Sequence, residues 1–183
     1  PELLIRLVRL GEPCLSPDGS ALLYAARTTD LAADQGRAQI HVVRLADGND
    51  RALTNAGSNS TPMWSRDGRA IAFVSTRSGS PQIWVQPFDG EARQVTDHPG
   101  GVANVQWSPD GAWFLFTSEV KVDRDLHDQH PDLPKANARA YDDLMVRHWD
   151  HWLDGSYSHL FVVDAKGGKA RDLLAGEPVE TPL

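Results

Sequence analysis

Ser16-Pro17-Asp18-Gly19 stands directly before the apolar run ALLYAA (Ala21–Ala26). The phrase returns as Ser65-Arg66-Asp67-Gly68 before AIAFVS (Ala70–Ser75), and as Ser108-Pro109-Asp110-Gly111 before AWFLFTS (Ala112–Ser118). The copies start at 16, 65 and 108, spacings of 49 and 43 residues. Periods in this range belong to propellers and other repeat arrays rather than to one irregular domain. Each residue of the phrase has a task. Proline presets φ near −65°, aspartate bonds back to the local backbone, and glycine accepts positive φ. Arg66 takes the proline place in the second copy, which a type I turn tolerates.

A second turn recurs in every unit: Ala46-Asp47-Gly48-Asn49, Phe88-Asp89-Gly90-Glu91 and Ala165-Lys166-Gly167-Gly168. Apolar strands precede it (IHVVRL, Ile40–Leu45; IWVQPF, Ile83–Phe88; LFVVDA, Leu160–Ala165), and short ones follow it (RALT, Arg51–Thr54; RQVT, Arg93–Thr96; RDLL, Arg171–Leu174). A further strand precedes each first turn: Val8–Leu15, Asn59–Trp64 and Ala103–Trp107. Strand, turn, strand, loop, strand, turn, strand is the four-stranded antiparallel meander of a propeller blade. The fold class expected is therefore all-β: a partial β-propeller of about three four-stranded antiparallel blades. Blade one spans about residues 5–55, blade two 56–97 and blade three 98–175, with 176–183 starting a further blade. Closing a ring takes roughly four to eight blades, so the chain reads as part of a larger array.

The units differ in the loop between their second and third strands. It covers Thr28–Ala38 in blade one, Arg77–Pro81 in blade two and a long insertion, Glu119–Ser158, in blade three. Loops of that length are functional or carry structure of their own. VKVDRDLHDQHPDLP reads as irregular and KANARAYDD as a short helical turn; LMVRHWDHW alternates as a strand leading into a hairpin at Leu153-Asp154-Gly155-Ser156 would, over a run too short to separate strand from helix.

With 40% hydrophobic and 23% charged residues the composition is ordinary for a globular protein. The formal net charge of −7 argues against nucleic-acid and acidic-membrane surfaces, which want a basic patch. No apolar run approaches the roughly 18 residues of a membrane-spanning helix. PELLIRLVRLGEP carries arginines in its apolar stretch and lacks a small-residue cleavage site, so it is not a secretory leader. Cytoplasm and periplasm both remain open. The one cysteine, Cys14, forms no intrachain disulfide and reads as a structural thiol.

The pattern W-S-x-D-G, apolar strand, I-W-V, D-G and Q-V-T resembles the propeller repeats of TolB and of the prolyl oligopeptidase family. Tyr141–Leu174, YDDLMVRHWDHWLDGSYSHLFVVDAKGGKARDLL, and the opening LLIRLVRLGEPCLSPDGS are similar to bacterial dipeptidyl-peptidase and acylaminoacyl-peptidase members. The resemblance implies a non-catalytic propeller that admits short peptides to a C-terminal α/β-hydrolase domain carrying the serine–aspartate–histidine triad. This sequence has no G-x-S-x-G nucleophile elbow, since Gly57-Ser58-Asn59-Ser60 and Gly155-Ser156-Tyr157-Ser158 lack the spacing. No triad residue carries over. Two other functions stay open: a TolB-like protein-binding module, and a half-propeller that pairs with a second copy because unpaired faces and edges seek partners.

Two clusters invite a site. DRDLHDQHPD (Asp123–Asp132) gathers carboxylates and imidazoles, yet it lacks the calcium-loop spacing and reads as a solvated loop. RHWDHW supplies Arg147, Asp150 and Trp152, which are candidates for a wall that binds peptide: the ring gives contact area and the charge fixes a terminus. The plainer reading packs Trp149 or Trp152 into the blade with the charges in water. Trp64 and Trp107 are expected in the core between blades, Trp84 and Trp113 as structural residues inside apolar strands, and His98 and His159 as structural or surface groups. No metal or cofactor is expected. The expected partners are the hydrolase domain, short peptides and a second copy of the chain.

Overall fold

The computed structural model describes residues 2–133, 135, 138, 141, 147–148, 151–179 and 181. A short helix, α1 (Glu2–Arg6), leads into three sheets. Blade one is β1 (Arg9–Leu15), β2 (Ala21–Asp30), β3 (Gln35–Arg44) and β4 (Asp50–Ala52). Blade two is β5 (Asn59–Trp64), β6 (Ala70–Ser75), β7 (Gln82–Pro87) and β8 (Arg93–Gln94). Blade three opens with β9 (Ala103–Trp107) and β10 (Trp113–Lys121). Helix α2 (Leu126–Gln129) and the two-residue strands β11 (Arg147–His148) and β12 (His151–Trp152) follow, before β13 (Ser156–Asp164) and β14 (Arg171–Asp172) complete it. Each four-stranded sheet is antiparallel, with strands in sequence order. This is the partial propeller that the repeats predict.

The three S-x-D-G phrases build one and the same turn. Ser16 Oγ donates to Asp18 Oδ1 (2.7 Å) and accepts from Ala21 N–H (2.9 Å). Ser65 does so with Asp67 (2.6 Å) and Ala70 (2.9 Å), and Ser108 with Asp110 (2.6 Å) and Trp113 (2.9 Å). Gly19, Gly68 and Gly111 take φ of 70°, 69° and 74°, where a side chain would be strained. These bonds hold the Asp18 carboxyl down at about 2, the Ser16 hydroxyl being the largest cause, and Asp67 and Asp110 are lowered in the same way.

Four residues before each turn serine, the first strand also bends alike. Glu12, Thr61 and Asn104 have φ of 56°, 51° and 49°, each beside a register shift. Non-glycine residues seldom adopt this conformation. The extra residue per strand is a β-bulge, which sharpens the local twist. Thr61 N–H donates to Glu12 Oε2 at 2.6 Å, tying the first strands of blades one and two together.

Side chains alternate between the two faces of every sheet, and the seams use that alternation in one direction. Leu23, Ala25, Ile40 and Val42 of blade one pack on Ile71 and Phe73 of blade two, with Trp64, Trp84 and Phe88 around them. Ala72, Val74, Ile83 and Val85 on blade two's opposite face pack on Phe114, Phe116, Phe161 and Val163 of blade three. An aliphatic leading face thus meets a largely aromatic trailing face at both seams. Fully burying one such side chain is worth about 1.5–3 kcal/mol.

Four expectations need correction. The loop Thr28–Ala38 is mostly strand: pairing continues to Asp30↔Gln35, and Asp30 closes the turn by accepting from the N–H groups of Ala32 and Ala33. In blade three β10 and β13 run on to Lys121↔Ser156, so the segment between them is Val122–Gly155. Its first half is not wholly irregular. Asp125 and Asp128 form a reciprocal capping box that starts α2. The helical turn expected in KANARAYDD lies largely outside the described residues. Finally, Trp113, expected as a structural residue of its strand, is 47% exposed, because it stands on blade three's leading face. Trp64 and Trp107 are half-buried against the two seams, and Cys14 is half-buried beside the first.

Candidate functional site

The S-x-D-G turns and the turns after each third strand gather at one end of the blades. The insertion leaves the other end, from the close of β10, and its stem is firmly built. Val122 N–H and Asp123 N–H both donate to Gly155 O (2.9 and 3.1 Å), and Tyr157 Oη donates to Asp123 Oδ2 (2.6 Å). Lys121 Nζ reaches both Asp125 (2.5 Å) and Asp128 (2.8 Å). These contacts lower both carboxyls, Asp125 to about 2, with the lysine as the largest cause in each. Asp125 and Asp128 of the acidic cluster are thus engaged in their own helix cap and in ion pairs with Lys121.

Beyond the stem β11 and β12 pair with Arg147 opposite Trp152. The Arg147 guanidinium lies 5.5 Å from the Trp152 ring centroid, a cation–π geometry. Tyr141 stacks on the same indole at 6.2 Å and 24°, and its buried phenol oxygen has no hydrogen-bond partner among the described residues. Arg147 is exposed and Trp152 is 49% exposed. The structure brings Arg147 and Trp152 together; Asp150, the third residue named from the sequence, lies outside the described residues, as does Trp149. The pair offers a guanidinium fork with an aromatic flank, a surface suited to a carboxylate carried on an apolar body. Tyr141 was not singled out from the sequence, since nothing in KANARAYDD marks it as a neighbour of Trp152.

His159 and His98, the two isolated histidines read from the sequence, are both engaged by their surroundings. His159 is fully buried; Nδ1 lies 2.9 Å from Asp172 Oδ2 and Nε2 3.0 Å from Glu177 O. A histidine oriented by a carboxylate is part of a hydrolytic triad, but here the second ring nitrogen meets a carbonyl, not a nucleophile. His98 sits edge-on to Phe161 (4.6 Å) and Phe116 (5.5 Å), and burial pulls its pKa down against the opposing pull of Asp172. A cavity of about 750 Å³ opens between blades one and two at the turn end, walled in part by Arg51, Trp64 and Phe88, at the opposite end from the hairpin.

Comparison with known proteins bears on this arrangement. A family profile described as the TolB beta propeller domain matches residues 8–139. The chain belongs to the TolB beta propeller family. Dipeptidyl-peptidase 5 of Porphyromonas gingivalis is 37% identical over 188 residues, covering all of this chain and 27% of that protein. The acylaminoacyl peptidase of Pyrococcus horikoshii superposes with a TM-score of 0.71 at 19% identity, over 92% of this chain and 25% of its own. TolB of Acinetobacter baumannii superposes at 0.59 with 23% identity, over 89% of this chain and 32% of its own. The chain spans about a quarter of the length of the curated relatives it matches. The resemblance to peptidase propellers read from Tyr141–Leu174 thus holds: its relatives are peptidases, and this is their propeller region.

Proposed function

We propose that this chain is the non-catalytic propeller region of a serine peptidase of the prolyl oligopeptidase family, working with a C-terminal α/β-hydrolase domain. The propeller restricts entry to short peptides, and the insertion hairpin contributes a peptide contact through Arg147, Asp150 and Trp152. The acyl transfer would take place on the hydrolase domain; no residue of this chain attacks the substrate. The observation that carries the reading is the match of the whole chain to dipeptidyl-peptidase 5, which includes the insertion. The exposed Arg147–Trp152 pair supports the peptide contact.

The test is made in the longer polypeptide. Arg147→Ala, Asp150→Ala and Trp152→Ala should each lower kcat/KM for short peptides, about tenfold for Arg147 if one charged hydrogen bond is lost. Thermal unfolding should stay within about 2 °C, since the cation–π pair is exposed and worth only about 0.5–1 kcal/mol. Unchanged kcat/KM in all three would refute the peptide contact. A natural reading frame without a downstream G-x-S-x-G would refute the peptidase assignment and favour a TolB-like binding module.

A further inference from the structure

The two seams are built from one repeat, yet they close differently at the turn end. At the seam between blades two and three, Arg93 donates to the carbonyls of Ala165 (2.7 Å) and Lys166 (3.2 Å) and ties the two blades together. Arg51 holds the same repeat position in blade one, opposite Val42 as Arg93 is opposite Val85. It meets a different neighbour, because Phe88 stands in blade two where blade three has Ala165. The Arg51 guanidinium lies 5.1 Å over the Phe88 ring and 3.6 Å from the Asp89 carboxylate. Both partners of that ion pair are exposed, Asp89 to 89%, so it holds Arg51 only weakly. The cavity of about 750 Å³ opens at this seam, and its volume is that of a small-molecule site.

One wall of the cavity is an aromatic stack. The Trp64 and Phe88 rings lie 5.3 Å apart at 27°, and Trp64 Nε1 donates across the seam to Cys14 O (3.1 Å). Trp107, the counterpart in blade three, turns its Nε1 to Gly111 O of its own blade (3.2 Å) and stacks on Phe114. Blade one adds an apolar wall of Ala21, Val42 and the 52%-exposed Leu45. The charges around the cavity are not equally available. Asp18 and Asp67 are satisfied by their own turns: Asp18 accepts from Ser16 and Ser20, and Asp67 from the Ser65 hydroxyl and Arg69 N–H. The guanidinium groups of the lining arginines keep donors to offer. Arg44 reaches Asp47 through one nitrogen (3.1 Å). The Arg66 side chain, in the proline place of its turn, makes no hydrogen bond among the described residues, and its charge extends to Asp110 of blade three.

We infer that the seam between blades one and two binds a carboxylate that carries an aromatic ring. The ring lies along Trp64 and Phe88, beside Leu45, where stacking and apolar burial favour it. Arg51, already above Phe88, takes the carboxylate in place of Asp89, since a planar guanidinium bonds a carboxylate through two N–H groups while stacking on a ring. An aromatic amine would meet the arginines and two carboxylates whose acceptor sites are filled. The same chemistry occurs in a free aryl acid and in the C-terminal residue of a peptide ending in phenylalanine. The site lies at the opposite end of the blades from the hairpin, so it stands whether or not the hairpin binds peptide.

The test is fluorine NMR on the longer polypeptide labelled with fluorotryptophan, where Trp64→Phe identifies the Trp64 signal. Phenylacetate should shift that signal saturably with a Kd on the order of 1 mM, the range for a ligand of about ten heavy atoms. Phenethylamine, of opposite charge, should leave it in place. Arg51→Ala should weaken phenylacetate at least about fivefold, and Arg93→Ala, at the tied seam, should change Kd less than about twofold. A blocked dipeptide ending in phenylalanine that binds at least about tenfold tighter assigns the site to peptide C-termini; equal or weaker binding assigns it to free acids. Where Arg51→Ala does not fold, Arg51→Lys decides, since it keeps the charge and loses the fork, and it should weaken binding about threefold. The inference is overturned if phenylacetate leaves the Trp64 signal unmoved up to about 20 mM. It is equally overturned if phenethylamine binds as well, or if the Arg51 variant that folds binds phenylacetate like the parent.

Discussion

His159→Ala tests how blade three fastens its outermost strand. At the equivalent positions of blades one and two stand Gln39 and Gln82, and each glutamine clamps the threonine that follows its fourth strand. Gln82 Oε1 accepts from Thr96 Oγ1 (2.7 Å) and Gln39 Oε1 from Thr54 Oγ1 (2.8 Å), while each threonine oxygen accepts the N–H of Ile83 or Ile40 (2.9 Å). Blade three has Leu174 in the threonine place, so the clamp is rebuilt: His159 bonds Asp172 and the Glu177 carbonyl, and Asp172 accepts Leu174 N–H (2.8 Å). Strand β14 has two residues and little else to hold it. Removing the imidazole leaves a cavity, a carbonyl without its donor and the 18%-exposed Asp172 carboxylate without its ring hydrogen bond. Orphaned buried groups cost about 1–3 kcal/mol each, so the loss should be about 3 kcal/mol. For a chain of this size that lowers Tm by about 6–12 °C. The assay is a double-mutant cycle by urea unfolding with Asp172→Ala. The two losses should fall short of additivity by at least about 1 kcal/mol. Additivity within error, or a His159→Ala variant as stable as the parent, would show that the pair holds nothing.

Three further outcomes follow from the same bonds. Ser65→Ala removes a hydroxyl that bridges Asp67 and Ala70 N–H, so it should lower stability by about 1–2 kcal/mol in denaturant titration, with m unchanged. The depressed carboxyls of Asp18, Asp67 and Asp110 mean that the unfolded chain binds more protons than the folded one at low pH. Their stabilisation is present above the ordinary 3.8 and is lost as pH falls toward the folded values, about 2 for Asp18. Replacing the three by asparagine should flatten the acid limb of a stability–pH curve between about 4 and 2, and an unchanged limb would contradict the assignment. Gly57 has φ of 66°, and a Cβ there would stand 2.7 Å from Arg77 N. Gly57→Ala should therefore cost about 2 kcal/mol or more in calorimetry, while Gly48→Ala, with open space around it, should pay only the strain of its φ of 69°.

The candidate site was less legible than the fold. Arg147 and Trp152 can be named from RHWDHW, but their contact depends on a two-residue hairpin whose pairing no periodicity reveals over so short a run. The His159–Asp172 clamp is hidden for another reason. Its members are 13 residues apart and share no motif, and only alignment of the three blades shows histidine standing where glutamine stands elsewhere. The loop Thr28–Ala38 was overestimated because Thr28–Asp30 and Gln35–Arg37 lack apolar side chains, which does not stop two strands from extending their ladder.

By itself the sequence determined the local geometry and the repeat. A turn such as S-x-D-G closes on bonds among its own few residues, so its outcome is written within a span the chain cannot rearrange. Strand order followed, because each meander pairs only neighbours in sequence. Which face of a sheet is buried was settled by tertiary structure alone. Phe114 and Trp113 are adjacent apolar residues in one strand, yet one is sealed against blade two and the other stands half in water, because burial requires a neighbouring blade and not merely an apolar side chain.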